Sequence, residues 1–432
     1  MSRELFGTDG VRGLAGQYPL DSEGAEKIGR AVGTKFAEAG QAIIIGGDPR
    51  ESSAGLIDSL TKGMTAVGVN VTNVGVLPTP GLAYLTREGK EFVAGVMVTA
   101  SHNTYEYNGV KVFDSSGDKL PDDAEVELNT LIESGAADRG QGQSAKNDFL
   151  VRGYEDFLVG SAQGLQLGGM QIAIDAANGA ASGVAQRIFE RLGAKVTPLS
   201  DNPDGRNIND NCGATSTEML QKTVVDNGLT FGIALDGDAD RIMLVDQQGR
   251  QLNGDNLLYI LAVARKLGGV VATVMSNLGF EQALDKQGIK LERVDVGDRY
   301  VLEGLKKTGF KLGGEQSGHI ILPELLSTGD GLLAAVQVTR ILADSDKSLA
   351  QWRDEVAMLP QALVNITLPD RSSLNKPEVQ AFIDEQTKRL AGGGRVLIRP
   401  SGTEPLARVM VEAPEAEVLA KRIANELKGL VA

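Results

Sequence analysis

Ala42-Ile43-Ile44-Ile45-Gly46-Gly47-Asp48 opens the stretch 42–74, AIIIGGDPRESSAGLIDSLTKGMTAVGVNVTNV, whose reading decides the fold. The pattern predicts an apolar strand over 42–45, a turn at 46–48 and a helix from about Ser53. Gly68 stops the helix, and a second strand runs over 69–74. A glycine at a helix end followed by a β-branched run ends one element and starts the next. Strand–helix–strand with a short first loop predicts a βαβ unit with parallel strands.

Working outward, the same unit returns twice. Residues 172–174 are followed by a turn at 175–179. Val184, Ile188 and Leu192 then line one helical face, Gly193 is the stop, and a strand covers 195–197. Residues 270–275 lead through Ser276-Asn277 to a helix from about Phe280, a stop at Gly288 and a strand over 289–294. A single core rarely grows past about 250–300 residues, so the reading is three related mixed α/β domains, 1–155, 156–255 and 256–360. The tail, 361–432, lacks the unit. It reads strand (362–368), helix (379–390), strand (395–398), strand (407–412), helix (416–427), a smaller α+β domain.

Composition narrows the function classes. Apolar residues make up 42% and charged residues 23%, which excludes disorder as the overall state. A net charge of -14 argues against nucleic-acid or membrane partners, so a bound anion needs locally concentrated positive charge. No apolar run approaches the roughly 18–20 residues of a membrane span. The opening MSRELFGTDG does not have the form of a secretory signal. The single Cys212 excludes an internal disulfide and agrees with a reducing cytoplasm.

Four loops carry candidate chemistry. Thr99-Ala100-Ser101-His102-Asn103, with Asn108-Gly109-Val110-Lys111, follows an apolar strand. It offers a nucleophile or phosphoacceptor in Ser101, with His102 and Lys111 nearby, or else only a polar turn. Asp236-Gly237-Asp238-Ala239-Asp240-Arg241 sets three carboxylates at i, i+2 and i+4, a hard-cation pattern that otherwise reads as an exposed acidic turn. Gly313-Gly314-Glu315-Gln316-Ser317-Gly318-His319 reads equally as a polyol-binding loop or a hairpin turn. Arg399-Pro400-Ser401-Gly402-Thr403-Glu404-Pro405, with Arg408, offers guanidiniums, hydroxyls and backbone N–H groups to a phosphate, or is a plain strand–turn–strand. Both histidines of the chain lie in these loops. Together they point to phosphoryl transfer on a sugar phosphate. With no nucleotide-binding motif present, Ser101 is the expected phosphoryl carrier.

The four motifs resemble, in order and spacing, those of the α-D-phosphohexomutases, and the likeness covers essentially the whole chain. Phe6-Gly7-Thr8-Asp9-Gly10-Val11-Arg12-Gly13, Gln316 and Val296-Gly297-Asp298-Arg299-Tyr300 are similar to the branch acting on glucosamine phosphates. Three positions depart from the pattern: Thr104 where proline is usual, an alanine in the turn 175–179 where cysteine is common, and Ser216 where histidine is frequent.

The resemblance implies four domains around a central cleft in a cytoplasmic enzyme. It implies phosphoserine at Ser101 and one Mg²⁺ held by Asp236, Asp238, Asp240 and a phosphoserine oxygen. Arg12, Lys111 and Arg241 are the expected cations around the phosphoserine, and Lys111 or His102 the general base. Glu315, Gln316, Ser317, His319 and Arg299 would read the sugar, and Arg399, Ser401, Gly402, Thr403 and Arg408 the phosphate. Glucosamine 1,6-bisphosphate is the expected intermediate and activator. The oligomeric state is open, a homodimer among the options. Rival readings are mutase activity on glucose or mannose phosphates, and a non-catalytic sugar-phosphate-binding protein.

Overall fold

The computed structural model describes residues 5–6, 10–368, 370–400 and 406–431. The chain falls into two compact units, one of residues 1–275 and 289–353, the other of 276–288 and 354–432. Among the described residues the first unit carries three sheets and the second one.

The opening stretch folds as the spacing predicts. Strand Ala42–Gly47 leads to helix Ser53–Ala66 and then to strand Asn70–Val76, parallel to the first. Side chains alternate across a strand. Ile43 and Ile45 accordingly join one apolar cluster with Leu60 and Met64, while Ile44 joins a second with Met97 and Phe113. Burial on both faces explains why the strand is apolar at every position rather than at every second one. The six-stranded sheet runs in the order Val11–Leu14, Tyr107–Asp114, Phe92–Val98, Ala42–Gly47, Asn70–Val76, Ser144–Lys146. The first two of these pair antiparallel and the last four parallel. Asp48 and the 99–103 loop follow two neighbouring parallel strands, where α/β sheets present functional groups.

The second sheet is built around the parallel strands Gln171–Asp175, Lys195–Leu199 and Phe231–Leu235. Phe231–Leu235 delivers Asp236 and then returns antiparallel as Ile242–Asp246. The third sheet pairs Gly269–Thr273 in parallel with Lys290–Val294 and with Gly313–Gly314. Gly313–Gly314 hairpins antiparallel onto Ile320–Ile321. Residues 315–319 are therefore a hairpin turn.

The third crossover differs from expectation. Its helix, Leu278–Lys286, starts earlier than predicted because Asn277 caps it by accepting from the Gly279 N–H at 2.9 Å. This helix belongs to the second unit, where the Leu278 N–H donates to Glu412 Oε2 at 2.8 Å. There it joins an antiparallel sheet, Gln361–Thr367, Leu406–Glu412 and Arg395–Pro400, with helices Pro377–Leu390 and Ala416–Val431. Those elements appear in the predicted order.

Helix Val151–Ser161 lies on the first unit's helix Gly331–Ala343. The join is polar and buried: Tyr154 Oη donates to Asp330 Oδ2 at 2.9 Å, and the Leu333 N–H to Asp330 Oδ1 at 2.9 Å. Burial, partly offset by these bonds, pushes the Asp330 carboxyl up to about 7. Folding therefore takes up a proton between about pH 4 and 7, and that stabilisation is lost as pH rises toward 7. Asp330→Asn keeps the cap and cannot ionise. Wild type should lose on the order of 2 kcal/mol relative to the variant between pH 5 and 8, measured by denaturant unfolding. Parallel stability curves would contradict this.

Candidate active site

Strand Phe92–Val98 ends in Thr99-Ala100, and the chain then turns at Ser101 in a left-handed conformation, φ 51°. That geometry costs a non-glycine residue energy and is found where the surroundings over-determine it. It aims Ser101 Oγ across to the second sheet, where Oγ donates to Asp236 Oδ2 at 2.7 Å. His102 Nδ1 lies 3.3 Å from the same oxygen. Burial, then the charges of Arg241 and Arg12, lower His102 to about 4, so its ring is neutral at neutral pH.

The aspartate loop is buried, not an exposed acidic turn. Asp236, Asp238 and Asp240 are 0%, 0% and 5% exposed. One carboxylate oxygen from each lies within 4.8 Å of the others. Burial and the charges of Asp240 and Asp238 push Asp236 well above the carboxylate range. Asp240 is held well below that range: burial opposes, but Lys111, His319 and Arg241 outweigh it. Asp238 Oδ2 accepts from Lys111 Nζ at 2.8 Å and from Thr79 Oγ1 at 2.7 Å. The Thr79 N–H also donates to the Asp238 carbonyl at 2.9 Å. Among the described residues, Asp238 Oδ1 and Asp240 Oδ1 are buried without a hydrogen-bond donor. Converging, donor-poor carboxylate oxygens are the ligand set of a hard divalent cation, so these residues fit Mg²⁺.

Of the predicted cations, Lys111 is 3% exposed and bonded within this cluster. The Arg241 backbone N–H donates to Asp236 Oδ1 at 3.1 Å, and its guanidinium Nε lies 3.8 Å from Asp240 Oδ1. Arg12 Nη1 donates to Asn103 Oδ1 at 3.2 Å, on the outer side of the serine turn.

A cleft of about 670 Å³ opens beside these loops, lined by His102, Arg241, Glu315, Gln316 and Ser317 with the apolar Met243, Met275 and Val296. That volume suits a hexose phosphate. Glu315 is fixed by the Gly297 N–H on Oε1 at 3.0 Å and Ser317 Oγ on Oε2 at 3.2 Å. Gln316 Nε2 donates to Asp255 Oδ2 at 3.4 Å, which commits the amide nitrogen to the carboxylate.

Two expected sugar readers sit elsewhere. His319 is 3% exposed, with Nδ1 3.7 Å from Asp240 Oδ2 and Nε2 accepting from the Gly329 N–H at 3.2 Å. Burial disfavours its charged form, but contact with Asp240 and the charge of Asp298 raise its pKa. It braces the aspartate loop and does not line the cleft. Arg299 Nε donates to Glu303 Oε1 at 3.1 Å along helix Asp298–Thr308, also off the cleft wall.

In the second unit Arg399 and Arg408 are directly paired across antiparallel strands. Ser401, Gly402 and Thr403 lie outside the described residues. Reading loops alone missed Thr79, Asp48, Arg50 and Asn209, all packed beneath the serine and aspartate loops. The turn Gly46-Gly47-Asp48 at a strand end was the available signal for Asp48 and Arg50.

Comparison with known proteins agrees with this geometry. Four domain models described as phosphoglucomutase/phosphomannomutase match in succession. The alpha/beta/alpha domains I, II and III match residues 3–139, 153–249 and 253–358, and the C-terminal domain matches 363–429. The chain is 44% identical over 427 residues to a phosphoglucosamine mutase of Alcanivorax borkumensis, covering 96% of each. It is 44% identical over 432 residues to one of Thermus thermophilus, covering 99% of this chain and 98% of that one. A solved phosphoglucomutase/phosphomannomutase family protein of Burkholderia thailandensis superposes with TM-score 0.83 at 25% identity, covering 100% and 97% of the two chains.

If the three aspartates are a cation site, Mg²⁺ should stabilise the fold by mass action, by about 2.7 kcal/mol at a hundred times its dissociation constant, and so raise the melting temperature. Asp238→Asn should abolish that rise while the variant stays folded in metal-free buffer. An Mg²⁺-dependent rise equal to wild type in the variant would remove Asp238 from the site.

Proposed function

The chain belongs to the phosphoglucomutase/phosphomannomutase family, an enzyme family of sugar-phosphate mutases, and we propose that it interconverts glucosamine 6-phosphate and glucosamine 1-phosphate. The observation that carries this reading is the buried Ser101 hydroxyl, 2.7 Å from Asp236 and beside a cleft of hexose-phosphate size. The names of its 44% identical relatives support the amino sugar as substrate.

Ser101 carries the phosphoryl group. In the forward half, the bond from phosphorus to Ser101 Oγ breaks as a bond from phosphorus to O1 of glucosamine 6-phosphate forms, and the O1 proton passes through a base to the departing Ser101 Oγ. The product is glucosamine 1,6-bisphosphate, which also restores the phosphoserine when that is lost. In the second half, the bond from the sugar's O6 to phosphorus breaks, Ser101 Oγ receives the group and gives up its proton, and a base passes that proton to O6. Asp236, Asp238 and Asp240, with an oxygen of the phosphoserine, would hold one Mg²⁺, which neutralises charge on the transferring group.

His102 is the better placed base, since its neutral ring faces both the cleft and Ser101 Oγ. Lys111 already donates to Asp238 and Asp240 and acts as a fixed cation. Arg241 and Arg12 add positive charge around the serine. Glu315 and Ser317 bond sugar hydroxyls. Because Asp255 takes the Gln316 amide nitrogen, the carbonyl oxygen of Gln316 is the end offered to the C2 amine. In the second unit, Arg399 and Arg408 grip a phosphate. The place of action is the cytoplasm; among the described residues no helix is long and apolar enough to cross a membrane.

Two variants test this reading. Ser101→Ala should fold and lose turnover entirely, because no other hydroxyl can take the group. Wild type should favour glucosamine over glucose phosphate by about ten- to a hundred-fold in kcat/KM, the worth of one charge-assisted hydrogen bond. Gln316→Met should shrink that ratio. Equal efficiency on both sugars in wild type would assign a general hexose-phosphate mutase instead.

A further inference from the structure

Beneath the serine turn lies a buried ion pair that touches neither cleft nor reacting atoms. Asp48 and Arg50 have fully buried side chains, with Arg50 Nε 2.9 Å from Asp48 Oδ2. A guanidinium has five N–H donors, and here all five are used. Beyond Asp48, Nη2 donates to the carbonyls of Ser101 and Asn103, both at 2.9 Å. Nη1 donates to the carbonyls of Tyr107, at 3.1 Å, and Thr104. Four of the turn's carbonyls thus converge on one side chain. Asp48 secures the turn's other end: Oδ2 accepts from Thr99 Oγ1 at 2.7 Å, and Thr99 Oγ1 accepts from the Ser101 N–H at 2.9 Å.

A second clamp comes from the loop that follows strand Lys195–Leu199. Asn209 Nδ2 donates to the same carbonyls, Ser101 at 2.9 Å and Asn103 at 2.8 Å. Gly237, inside the aspartate loop, closes the contact. A Cβ there would lie 2.6 Å from the Ser101 carbonyl and 2.7 Å from Asn209 Nδ2, so only glycine fits. The serine turn and the aspartate loop are locked through backbone, independently of any ligand.

We infer that Arg50, with Asp48 and Asn209, is the positioning template that fixes Ser101 in its left-handed conformation and so aims Oγ at the reacting phosphorus. By drawing the Ser101 carbonyl inward, the template forces the side chain outward toward Asp236. Free of it, the residue would relax toward the ordinary negative-φ regions and Oγ would swing away. A displacement of about 1 Å costs phosphoryl transfer roughly a hundredfold without weakening substrate binding. The inference rests on Ser101 being the phosphoryl carrier.

Arg50→Lys keeps the charge opposite Asp48 but has three donors instead of five. Hydrogen exchange over residues 99–107 should quicken at least tenfold in the variant while the rest of the chain is unchanged. Its kcat should fall ten- to a hundred-fold with KM within threefold of wild type. If Arg50→Lys does not fold, Asn209→Asp, which removes two of the bonds to the turn, carries the same expectation. Wild-type kcat, or a loss matched by the unfolded fraction with no local change in exchange, overturns the template. Exchange judges the template whatever the substrate. Wild-type turnover on glucosamine phosphate, with Ser101→Ala as its blank, judges the reading beneath it.

Discussion

Three carboxylates buried within one loop repel each other, and the first unit is arranged to bear that repulsion. Asp236, Asp238 and Asp240 cannot all be ionised in a dry pocket unless positive charge is supplied. The chain supplies it in part. Lys111 comes from the first sheet and Arg241 from the loop itself, while the His319 ring, from the hairpin of the third sheet, lies 3.7 Å from Asp240 Oδ2. One loop therefore draws groups from three sheets into a single polar centre. The remaining negative charge and the unbonded oxygens are what a divalent cation would satisfy. Ser101 sits at the edge of this centre, its hydroxyl already bonded to one of the carboxylates.

Much of this was legible in the sequence because its causes are local. Glycine stops and apolar strands marked all three βαβ units, each found with parallel strands. Alternation of aspartate with small residues marked the loop where three carboxylates converge, and a serine after a long apolar strand marked the hydroxyl bonded to it. What the sequence hid depends on contacts between distant segments. Thr79 meets Asp238 across 159 residues, and Asn209 meets Ser101 across 108. Neither has a local pattern distinguishing it from a surface turn residue. His319 was legible as important but not as buried, because the hairpin turns its ring toward Asp240 rather than toward the cleft. The helix Leu278–Lys286 was found at the right place in the chain, while its packing on Glu412 follows from the second unit's fold.

Strain and support appear together at the serine. A left-handed serine is unfavourable on its own, so the five-donor guanidinium beneath it is a structural requirement of the turn. Arg50 also holds the Thr104 carbonyl, and nothing in the structure explains the threonine at that position. The serine turn is thus preorganised by the buried Asp48–Arg50 pair, whose five guanidinium donors are all bonded within the protein, which is the condition under which such networks rigidify a structure.

The central claim is that a phosphoryl group resides covalently on Ser101 during turnover. The most direct measurement is a rapid-quench reaction of the phosphorylated enzyme with glucosamine 6-phosphate bearing labelled phosphorus, followed by peptide mapping. Label should appear on the peptide containing Ser101 within a single turnover, in step with unlabelled phosphate appearing at C1 of the sugar. Label absent from that peptide, while glucosamine 1-phosphate still accumulates, would contradict the account.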